Sequence, residues 1–419
     1  MAKRRVVIVG GGGGGDYAAF GLRKKGFDGE IVILSADRDR PYDRPYLSKE
    51  FLRGEVELPK VYLHDEAEYS RQGIELRTHT RVKTASSSGR TVTLENGAQV
   101  KFDVLVLSLG GTPRRLPGVP EVANVHTLRS LHDSSSLIDA INAGSRLLLV
   151  GAGFIGAEVA ASARKLGKDV LIVEAAPVPL ERALGRDVGE VYAAIHRDQG
   201  ADMRTGTHIK DWHVSGDRVT GVTLSDGRRE DVDIALIAVG IEPNLELPKA
   251  MGLPTDGGGV RGDSGLRAGE GLYVAGDIAL HDHPLFGPIR VEHWEVAKGH
   301  GRGIAAAIVD GDAPYTKVPY FWSDQYDVSL EYRGHASGQD RAVWRGDRAR
   351  RVFSVFYLRD GRVRAVLSMN DKSGGEAGVK LIESRTAVDE RTLADASVDL
   401  NDMIPPDRTV LAPKRPREA

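Results

Sequence analysis

Two glycine-rich stretches of the chain could each hold the pyrophosphate of a dinucleotide. They share the spacing G-x-G-x-x-G, with Gly10, Gly12 and Gly15 in the first stretch and Gly151, Gly153 and Gly156 in the second. Each stretch follows a short apolar run, which predicts a turn between a buried strand and a helix. Free N–H groups and the dipole at the start of such a helix attract phosphate. One such fingerprint is a weak signal, but two predict two dinucleotides bound side by side.

An acidic residue stands near the end of the second predicted strand after each fingerprint. Asp37 lies just past that strand in the first half, and Glu174 ends the equivalent strand in the second half. A carboxylate at this place can bind the hydroxyls of the adenosine ribose. At Glu174 it would also repel a 2′-phosphate, which favours NADH over NADPH. Arg182 and Arg186 lie downstream and could instead meet a 2′-phosphate, and Glu174 could also be an ordinary surface acid.

The chain contains an internal repeat, in which residues 91–110 align without gaps with residues 221–240. The alignment places Asn96-Gly97 opposite Asp226-Gly227 and Asp103 opposite Asp233. Asn-Gly and Asp-Gly between alternating segments are typical of hairpins, and the apolar residues after each aspartate predict a buried parallel strand. Each half is therefore predicted to contain a βαβ unit, then a β-meander, then a closing strand.

Four local predictions concern single elements. The helix after the first fingerprint is predicted at about 17–25, after a run of six glycines of which the motif does not require Gly13 or Gly14. Ser48 is predicted to cap a helix that follows it. His281 and His283 flank a single aspartate, and such closely spaced residues cannot readily converge on one ion. We therefore predict a loop there and no metal site in the chain.

Composition excludes several classes of function. The chain has 419 residues and a formal net charge of −2, so it is long enough for two or three domains and has no global field for nucleic acid or a membrane surface. Its apolar runs are too short to cross a bilayer or to serve as a signal peptide, which predicts a cytoplasmic protein. The complete absence of cysteine excludes disulfides, thiolate metal sites and a redox dithiol.

Several further segments give the chain a resemblance to a known family. These segments are RPYDRPYLSKEFL at 40–52, LRSLHD at 128–133, GLYVAGD at 271–277, RVEHW at 290–294 and FWSDQYD at 321–327. Together with the two fingerprints they resemble the FAD-dependent pyridine-nucleotide oxidoreductases, in the ferredoxin reductase branch. Putidaredoxin reductase and the reductase components of aromatic dioxygenases belong to this branch, and apoptosis-inducing factor is a relative. The resemblance spans nearly the whole chain.

The resemblance implies a fold and a division into domains. The implied fold class is α/β, with two Rossmann-like dinucleotide-binding domains, one for FAD and one for NAD, and a C-terminal α+β domain. The FAD-binding domain is expected at 1–111 and 239–313, the NAD(H)-binding domain at 112–238, and the C-terminal domain at 314–419.

The resemblance also implies the site residues. FAD is expected to contact Gly10, Gly12, Gly14, Gly15, Asp37, Arg44, Lys49, Val82, Arg129, Asp277 and Trp294. NADH is expected to contact Gly151, Gly153, Ile155, Gly156, Glu158, Glu174, Arg182 and Gly240. The catalytic residues are expected to be Lys49, Glu158 and Trp294, with Lys49 and Glu158 paired close to flavin N5. Glu158 near the start of a helix would also suit the helix dipole, and a tryptophan is more often a packing residue.

The function implied is that of an NADH-dependent ferredoxin reductase. Hydride passes from NADH to FAD N5, and single electrons then pass to a [2Fe–2S] ferredoxin that serves an oxygenase. The alternatives are an NADH oxidase-type flavoprotein and an NADH-responsive redox switch like apoptosis-inducing factor. The protein is expected to be a monomer or a weak homodimer, without nucleic-acid or membrane partners. The C-terminal segment contains a cluster of arginines at Arg341, Arg345, Arg348, Arg350 and Arg351. The cluster could steer an acidic ferredoxin or simply protect an edge strand.

Overall fold

The computed structural model describes residues 4–311 and 313–404. Residues 405–419 of the predicted last domain lie outside the described residues. The strands are β1 Arg5–Val9, β2 Glu30–Leu34, β3 Ile74–Arg77, β4 Val82–Ser86, β5 Thr91–Leu94, β6 Gln99–Lys101, β7 Val104–Leu107, β8 Gly111–Pro113, β9 Val125–His126, β10 Arg146–Val150, β11 Asp169–Glu174, β12 Asp202–Thr205, β13 Ile209–Ser215, β14 Arg218–Leu224, β15 Arg229–Asp231, β16 Ile234–Ile237, β17 Ile241–Pro243, β18 Val260–Gly262, β19 Arg267–Gly269, β20 Leu272–Val274, β21 Ala279–His283, β22 Gly287–Arg290, β23 Tyr320–Gln325, β24 Val328–Gly334, β25 Arg341–Asp347, β26 Val352–Arg359 and β27 Arg362–Met369.

The helices connect and cover these strands. The α-helices are α1 Gly13–Lys24, α2 Leu58–Val61, α3 Glu66–Arg71, α4 Leu131–Ala143, α5 Phe154–Lys165, α6 Glu181–Leu184, α7 Arg186–Asp198, α8 Glu246–Ala250, α9 Trp294–Asp310, α10 Lys372–Ser384 and α11 Glu390–Ala394. Short 3₁₀ helices cover Arg44–Ser48, Asp256–Gly258, Gly276–Ile278 and Leu400–Met403. No helix in the described part of the chain is long and apolar enough to span a membrane.

Two Rossmann-like units form the larger part of the molecule, as predicted. The first sheet has the order β19-β20-β7-β1-β2-β3, and its parallel strands β1, β2, β3, β7 and β20 are mostly buried. The second sheet, β12-β11-β10-β16-β9, is parallel throughout. A fingerprint helix follows the first strand of each unit, α1 after β1 and α5 after β10. The carboxyl ends of β1 and β10 therefore carry the two glycine loops.

The internal repeat is a repeat of structure. Both predicted hairpins are present, as β5–β6 and β14–β15, and both closing strands are parallel to the first strand of their unit. Asp103 and Asp233 make equivalent hydrogen bonds in the two halves. The carboxylate of Asp103 accepts from the N–H of Arg5 at 2.6 Å, and that of Asp233 accepts from the N–H of Arg146 at 2.9 Å. The aligned aspartates thus anchor the start of the central strand.

The first unit is interrupted by the second. Its sheet takes strands from residues 5–107 and again from residues 267–274, and the chain between them contains the whole second sheet. The two connections between the units run side by side, because β8 and β17 pair antiparallel with Thr112 opposite Glu242. The predicted fold class is confirmed in this arrangement.

The C-terminal unit is an antiparallel sheet with the order β23-β24-β27-β26-β25, covered by α10. One of its faces packs on α7 of the second Rossmann-like unit. Tyr192 and Ile195 of α7 share an apolar cluster with Leu330, Phe353 and Met369 of the sheet. The C-terminal unit is therefore held against the second unit by a buried apolar contact.

Three local predictions were wrong. Helix α1 begins at Gly13 rather than near residue 17, so three of the six glycines belong to the helix itself. No helix follows Ser48, which ends a 3₁₀ helix and is followed by turns. His281 and His283 lie on β21 and not in a loop; both point to one side of this strand, where their ring centroids are 5.6 Å apart. Helix α1 packs on α9, and β21 pairs with β18 and β22, which are contacts that the local patterns do not show.

Candidate active site

The first glycine loop is shaped by close neighbours on three sides. Gly10 has φ +116°, and a Cβ there would lie 2.0 Å from the carbonyl oxygen of Ser108. Gly15 lies where α1 packs closely against the start of the loop, since a Cβ there would lie 2.1 Å from the carbonyl oxygen of Gly10. At Gly12, the N-cap of α1, a Cβ would meet nothing within 4 Å and no side chain caps the helix. The open space therefore lies in front of the uncapped N–H groups at the start of α1, as anion binding requires.

Gly13 and Gly14, which the motif itself does not require, are required by packing. A Cβ on Gly13 would lie 2.7 Å from the Cζ3 atom of the Trp294 ring. A Cβ on Gly14 would lie 2.6 Å from the hydroxyl of Ser108. Trp294 is the first residue of α9, which packs along α1. The surplus glycines thus allow an aromatic ring and a second helix to approach the loop.

Polar groups that lack partners surround this loop. Arg129 donates to the carboxylate of Asp277 at 2.6 Å, but its Nε is buried and has no partner among the described residues. The same holds for Nη1 of Arg44 and Nε1 of Trp294. Burial, together with the nearby guanidinium of Arg44, lowers the pKa of Arg129. Buried donors are normally satisfied, so these three fit an extended ligand that carries acceptors and negative charge.

Asp37 is in place but is already engaged. Its carboxylate accepts from the Tyr42 hydroxyl at 2.8 Å and from the N–H of Asp39 at 3.2 Å. Burial raises the pKa of Tyr42, so this phenol stays protonated and donates to the aspartate. Val82 is half-buried at the start of β4, where it pairs with Leu94. The structure places Asp37 beyond the end of β2, as the sequence predicted.

The second glycine loop repeats the geometry of the first. Gly151 has φ +99°, and its Cβ would lie 2.6 Å from the carbonyl oxygen of Ala238. Gly153 is the uncapped N-cap of α5 and has open space in front of it, while a Cβ on Gly156 would lie 2.2 Å from the carbonyl oxygen of Gly151. Ile155, on the first turn of α5, is 44% exposed. A second extended anionic ligand fits this loop.

The carboxylate of Glu174 lies against the second loop. Its two oxygens accept from the N–H groups of Ala152, at 2.6 Å, and Ala176, at 2.8 Å. Arg182 is exposed on the short helix α6, and Arg186 is paired with Glu190 at 3.4 Å. Glu174 therefore helps to hold the loop, a role that the spacing of the motif did not predict.

Lys49 and Glu158 form a buried ion pair between the two Rossmann-like units. The Nζ atom of Lys49 lies 3.1 Å from the Oε2 atom of Glu158, and both side chains are about 6–7% exposed. Lys49 follows the 3₁₀ helix of the first unit, and Glu158 lies on α5 of the second. The sequence placed these residues in separate motifs 109 positions apart, and the fold brings them together.

The chain can now be compared with known proteins. Residues 4–301 match the family described as pyridine nucleotide-disulphide oxidoreductase, and residues 320–404 match the reductase C-terminal family. The chain belongs to the pyridine nucleotide-disulphide oxidoreductase family. It is accordingly an oxidoreductase, and it carries no cysteine from which a redox disulfide could form.

Similar proteins cover nearly the full length of the chain. Putidaredoxin reductase of Pseudomonas putida is 35% identical over 394 residues, which cover 92% of this chain and 93% of the relative. The ferredoxin–NAD(+) reductase component of the anthranilate 1,2-dioxygenase system of Burkholderia cepacia is 35% identical and covers 91% and 95%. The crystal structure of the covalent putidaredoxin reductase–putidaredoxin complex matches with a TM-score of 0.92 at 34% identity, covering 96% and 98%. The predicted resemblance to the ferredoxin reductase branch is confirmed.

Sequence reasoning about this oxidoreductase missed the other partners of Glu158. Ser48 donates to its Oε2 atom at 2.5 Å, and Ser323 of the C-terminal unit donates to its Oε1 atom at 2.8 Å. Gln325 in turn donates to the hydroxyl of Ser323 at 3.1 Å. Ser323 and Gln325 belong to the FWSDQYD segment and, two positions apart on strand β23, lie on one face of it.

Trp294 and Trp322 lie in different surroundings. Trp294 begins α9 after His293, whose pKa burial lowers to about 4. Trp322 on β23 is stacked with Tyr320, with ring centroids 5.9 Å apart, and is half-buried. Gly240, expected at the second ligand, has φ +92° and opens the connection β17. Helix α9 runs on from Trp294 to Asp310.

The arginine cluster of the oxidoreductase is mostly internally paired. Its partners are Glu390 for Arg341, Asp187 for Arg348, Asp347 for Arg350, Asp198 for Arg351, and the carbonyl groups of Leu393, Asp395, Ala396 and Val398 for Arg345. Two of these partners, Asp187 and Asp198, belong to α7. The pairing favours the structural alternative, in which the arginines stabilise the edge strand β25 and its contacts.

Proposed function

We propose that this chain is an NADH-dependent ferredoxin reductase that uses FAD. The buried pair of Lys49 and Glu158 carries the proposal, because it joins the unit of the first glycine loop to the unit of the second. Two dinucleotides bound in these loops would meet at this pair. The names of the relatives, one a ferredoxin–NAD(+) reductase and one a putidaredoxin reductase, support the same conclusion.

The first loop would hold FAD. The free N–H groups beyond Gly12 and the guanidinium of Arg44 would bind the pyrophosphate, and Asp37 would accept from the ribose. Arg129 and Asp277 would face the polar chain between ribose and ring. The further contacts of this proposed site are Gly10, Gly14, Gly15, Lys49, Val82 and Trp294. The orphaned donors of Arg44, Arg129 and Trp294 support it.

The second loop would hold NADH. The free N–H groups beyond Gly153 would bind its pyrophosphate, and the exposed Ile155 would contact its nicotinamide half. Glu174 would accept from the adenosine ribose and disfavour a 2′-phosphate. The further contacts of this proposed site are Gly151, Gly156, Glu158, Arg182 and Gly240. Within the same proposal the FAD-binding domain covers 1–111 and 239–313, the NAD(H)-binding domain 112–238, and the C-terminal domain 314–419.

The chain's own residues would order the electron transfer. When bound, FAD supplies the conversion between the two-electron chemistry of a nicotinamide and the one-electron chemistry of an iron–sulfur cluster. Lys49 and Glu158 together carry no net charge, so the ammonium can attract a negative charge that develops beside it without leaving a buried cation unpaired. The start of α9 at Trp294 places a helix N-terminus in the same region, which also favours negative charge.

The electron acceptor would be a [2Fe–2S] ferredoxin that serves an oxygenase. Because the chain has no cysteine, electrons cannot leave through a dithiol of its own. We place the reaction in the cytoplasm, where reduced nicotinamide is available, with the protein as a monomer or weak homodimer. Cell fractionation and light scattering of the purified protein would test these two points.

Anaerobic stopped-flow reduction of the FAD-loaded protein tests the proposed function. We expect rapid bleaching of the flavin absorbance by NADH, slower bleaching by NADPH, and cytochrome c reduction that depends on an added [2Fe–2S] ferredoxin. NADH consumption that needs oxygen but no ferredoxin would instead identify an oxidase. Slow reduction with a lasting long-wavelength absorbance and no ferredoxin effect would identify a redox switch.

A further inference from the structure

We propose that Ser323, on the C-terminal domain, is a positioning residue for the ion pair of Glu158 and Lys49. The C-terminal domain would then be a working part of the electron-entry site, in addition to any part in docking a partner. This inference rests on the proposed function. Its basis is a set of buried hydrogen bonds that converge on one carboxylate.

The carboxylate of Glu158 is held by donors from three parts of the chain. Oε2 accepts from Lys49 at 3.1 Å and from Ser48 at 2.5 Å, and Oε1 accepts from Ser323 at 2.8 Å. Ser48 is 2% exposed, Ser323 0% and Glu158 5%. Ser323 is the sole donor to Oε1 among the described residues. It therefore fixes the rotation of the carboxylate about its last bond, and with it the place of the Lys49 ammonium.

Ser323 is itself held by a longer chain of hydrogen bonds. Gln325 donates to it at 3.1 Å, the Nε2 atom of His196 lies 3.1 Å from the Oε1 atom of Gln325, and the Nδ1 atom of His196 lies 3.0 Å from the Tyr326 hydroxyl. Burial lowers the pKa of His196 to about 4, so the ring is neutral and carries one proton. We assign that proton to Nε2, because the amide oxygen can only accept.

With that assignment every bond in the chain points the same way. Tyr326 donates to His196, His196 to Gln325, Gln325 to Ser323, and Ser323 to Glu158. Aligned hydrogen bonds polarise one another, and here all of their positive ends face a buried carboxylate. The arrangement stabilises the negative charge of Glu158 away from water, where it would otherwise be costly.

The strand that carries Ser323 is fixed close to the two nucleotide loops. Phe321, two residues earlier on β23, packs edge-on against Phe154 at 4.7 Å between ring centroids and lies 4.2 Å from the ring of His293. Phe154 begins α5, and His293 is the N-cap of α9. The hydroxyl of Ser323 is thus placed by packing against both Rossmann-like units.

The test compares Ser323→Ala with Ser354→Ala in the FAD-loaded protein. Ser354 is a matched control, because it is also buried in the C-terminal sheet and also donates to a carboxylate, that of Asp371 at 2.7 Å. Losing a hydrogen bond to a charged group lowers a rate that depends on this bond about tenfold. We therefore expect Ser323→Ala to lower the limiting rate of anaerobic reduction by NADH about tenfold, with FAD content unchanged and NADH affinity within about twofold. Ser354→Ala should stay within about twofold in all three.

Combining each substitution with Glu158→Gln shows whether Ser323 acts through Glu158. In the Glu158→Gln background, Ser323→Ala should change the rate by less than about twofold. A tenfold loss that persists in that background, or an unchanged rate in Ser323→Ala itself, would overturn the proposal.

Thermal unfolding without nicotinamide gives a readout that does not depend on activity. The double variant Ser323→Ala/Glu158→Gln should shift the unfolding midpoint by less than the sum of the two single shifts. The double variant Ser354→Ala/Glu158→Gln should shift it by that sum. Additive shifts for the first pair would contradict a direct interaction. If the unaltered protein were not reduced by NADH, the proposed function would fail, and this cycle would still decide whether Ser323 positions Glu158.

Discussion

Gly12 and Gly153 show at the scale of single residues how a binding site differs from a packed core. Gly15 and Gly156 face backbone at 2.1 and 2.2 Å from where a Cβ would stand, so the fold itself requires them. Gly12 and Gly153 face nothing within 4 Å in the same loops. Because both have extended backbone, no strain requires glycine there. The open space at both positions agrees with the proposal that a ligand approaches the backbone closely there.

Gly12→Ala should therefore separate stability from ligand binding. As an N-cap change it should cost up to about 1 kcal/mol in unfolding free energy. We expect it to weaken FAD retention at least tenfold, because the new methyl group would occupy the space of the pyrophosphate. Gly153→Ala is the matched control, and it should keep FAD but weaken NADH binding. The flavin-to-protein absorbance ratio and an NADH titration measure both, and a Gly12→Ala protein with full FAD content would contradict the assignment.

Glu174→Ala should narrow the preference for NADH over NADPH about tenfold, through lost ribose bonds and lost repulsion of a 2′-phosphate. The substitution also removes the acceptor of the Ala152 N–H, which would loosen the loop for both nucleotides equally. The ratio of the two kcat/KM values therefore isolates the charge effect. Glu121→Ala, which removes an exposed acid that pairs with Arg115 in the same unit, is the control and should leave the ratio unchanged. An unchanged ratio in Glu174→Ala would refute this role.

Residues of the site were predictable where a motif fixes backbone geometry. The glycines lie between a strand and a helix as the motif predicts, Glu174 ends β11, and Lys49 and Glu158 are in contact. Ser48 and Ser323 were not predictable, because their partner is more than a hundred positions away and serines carry no spacing signal. The same reason hid the packing requirement at Gly13, which depends on Trp294 at the other end of the first unit.

At the scale of elements, strand β25 shows how charge can serve structure. Arg345 donates to four carbonyl groups, that of Leu393 in α11 and three in the backbone that follows this helix. Arg348 lies over the Trp344 ring, 3.5 Å from its centroid, and near Asp187 of α7. These guanidinium groups are thus fixed by contacts within the chain, which leaves them less free to bind a partner.

Arg345→Ala and Arg350→Ala should differ in their effects on stability. Arg345→Ala should destabilise the C-terminal domain by about 2 kcal/mol, because a charged donor and several carbonyl bonds are lost. It should also speed proteolysis between residues 390 and 404. Arg350→Ala, which removes only an exposed pair, should stay within about 0.5 kcal/mol. Neither should change the salt dependence of ferredoxin turnover, and a clearly weaker dependence in Arg350→Ala would restore the steering hypothesis.

Elements with strong local signals were predicted well. Strand β2 ends shortly before Asp37 and β11 ends at Glu174, as predicted, and both predicted hairpins formed, because apolar runs and Asn-Gly or Asp-Gly turns determine them locally. The start of α1 and the strand at His281 were missed for a common reason. Glycine and histidine are weak formers of their elements, and α9 and the neighbouring strands β18 and β22 supply the contacts that order them here.

At the scale of the whole molecule, neutral histidines are buried in several units. Burial lowers the pKa of four of them to about 3 or 4, namely His196, His281, His283 and His293. Burial also lowers the pKa of His300 well below its ordinary value. The rings of His281, His283 and His300 form one cluster with Tyr315. Within the described residues this cluster has no arrangement that could hold a metal ion. It is a packed polar core that must stay uncharged.

Acid should therefore destabilise the protein well before its carboxylates titrate. In the unfolded chain histidine has a pKa of about 6.5, so between about pH 6.5 and 4 the unfolded state binds more protons. As the pH is lowered through this range, the unfolding free energy falls by about 1.4 kcal/mol per pH unit for each buried histidine. For five histidines the fall is about 7 kcal/mol per pH unit. Urea unfolding from pH 7 to 5 measures this slope. His281→Asn should flatten it by about one proton and exposed His132→Asn should not; a stability independent of pH would contradict the prediction.

The antiparallel pairing of β8 with β17 has a consequence for how such a protein can be built. The chain leaves the first unit at Gly111 and returns at Pro243, directly opposite. An inserted segment whose two ends are neighbours can be removed and the gap closed with one two-residue turn, such as Asn-Gly. The second unit is thus connected to the first through two neighbouring points of the chain. A gene encoding the outer unit could acquire, lose or exchange the inserted unit in one recombination event without changing the strand order of the sheet that receives it.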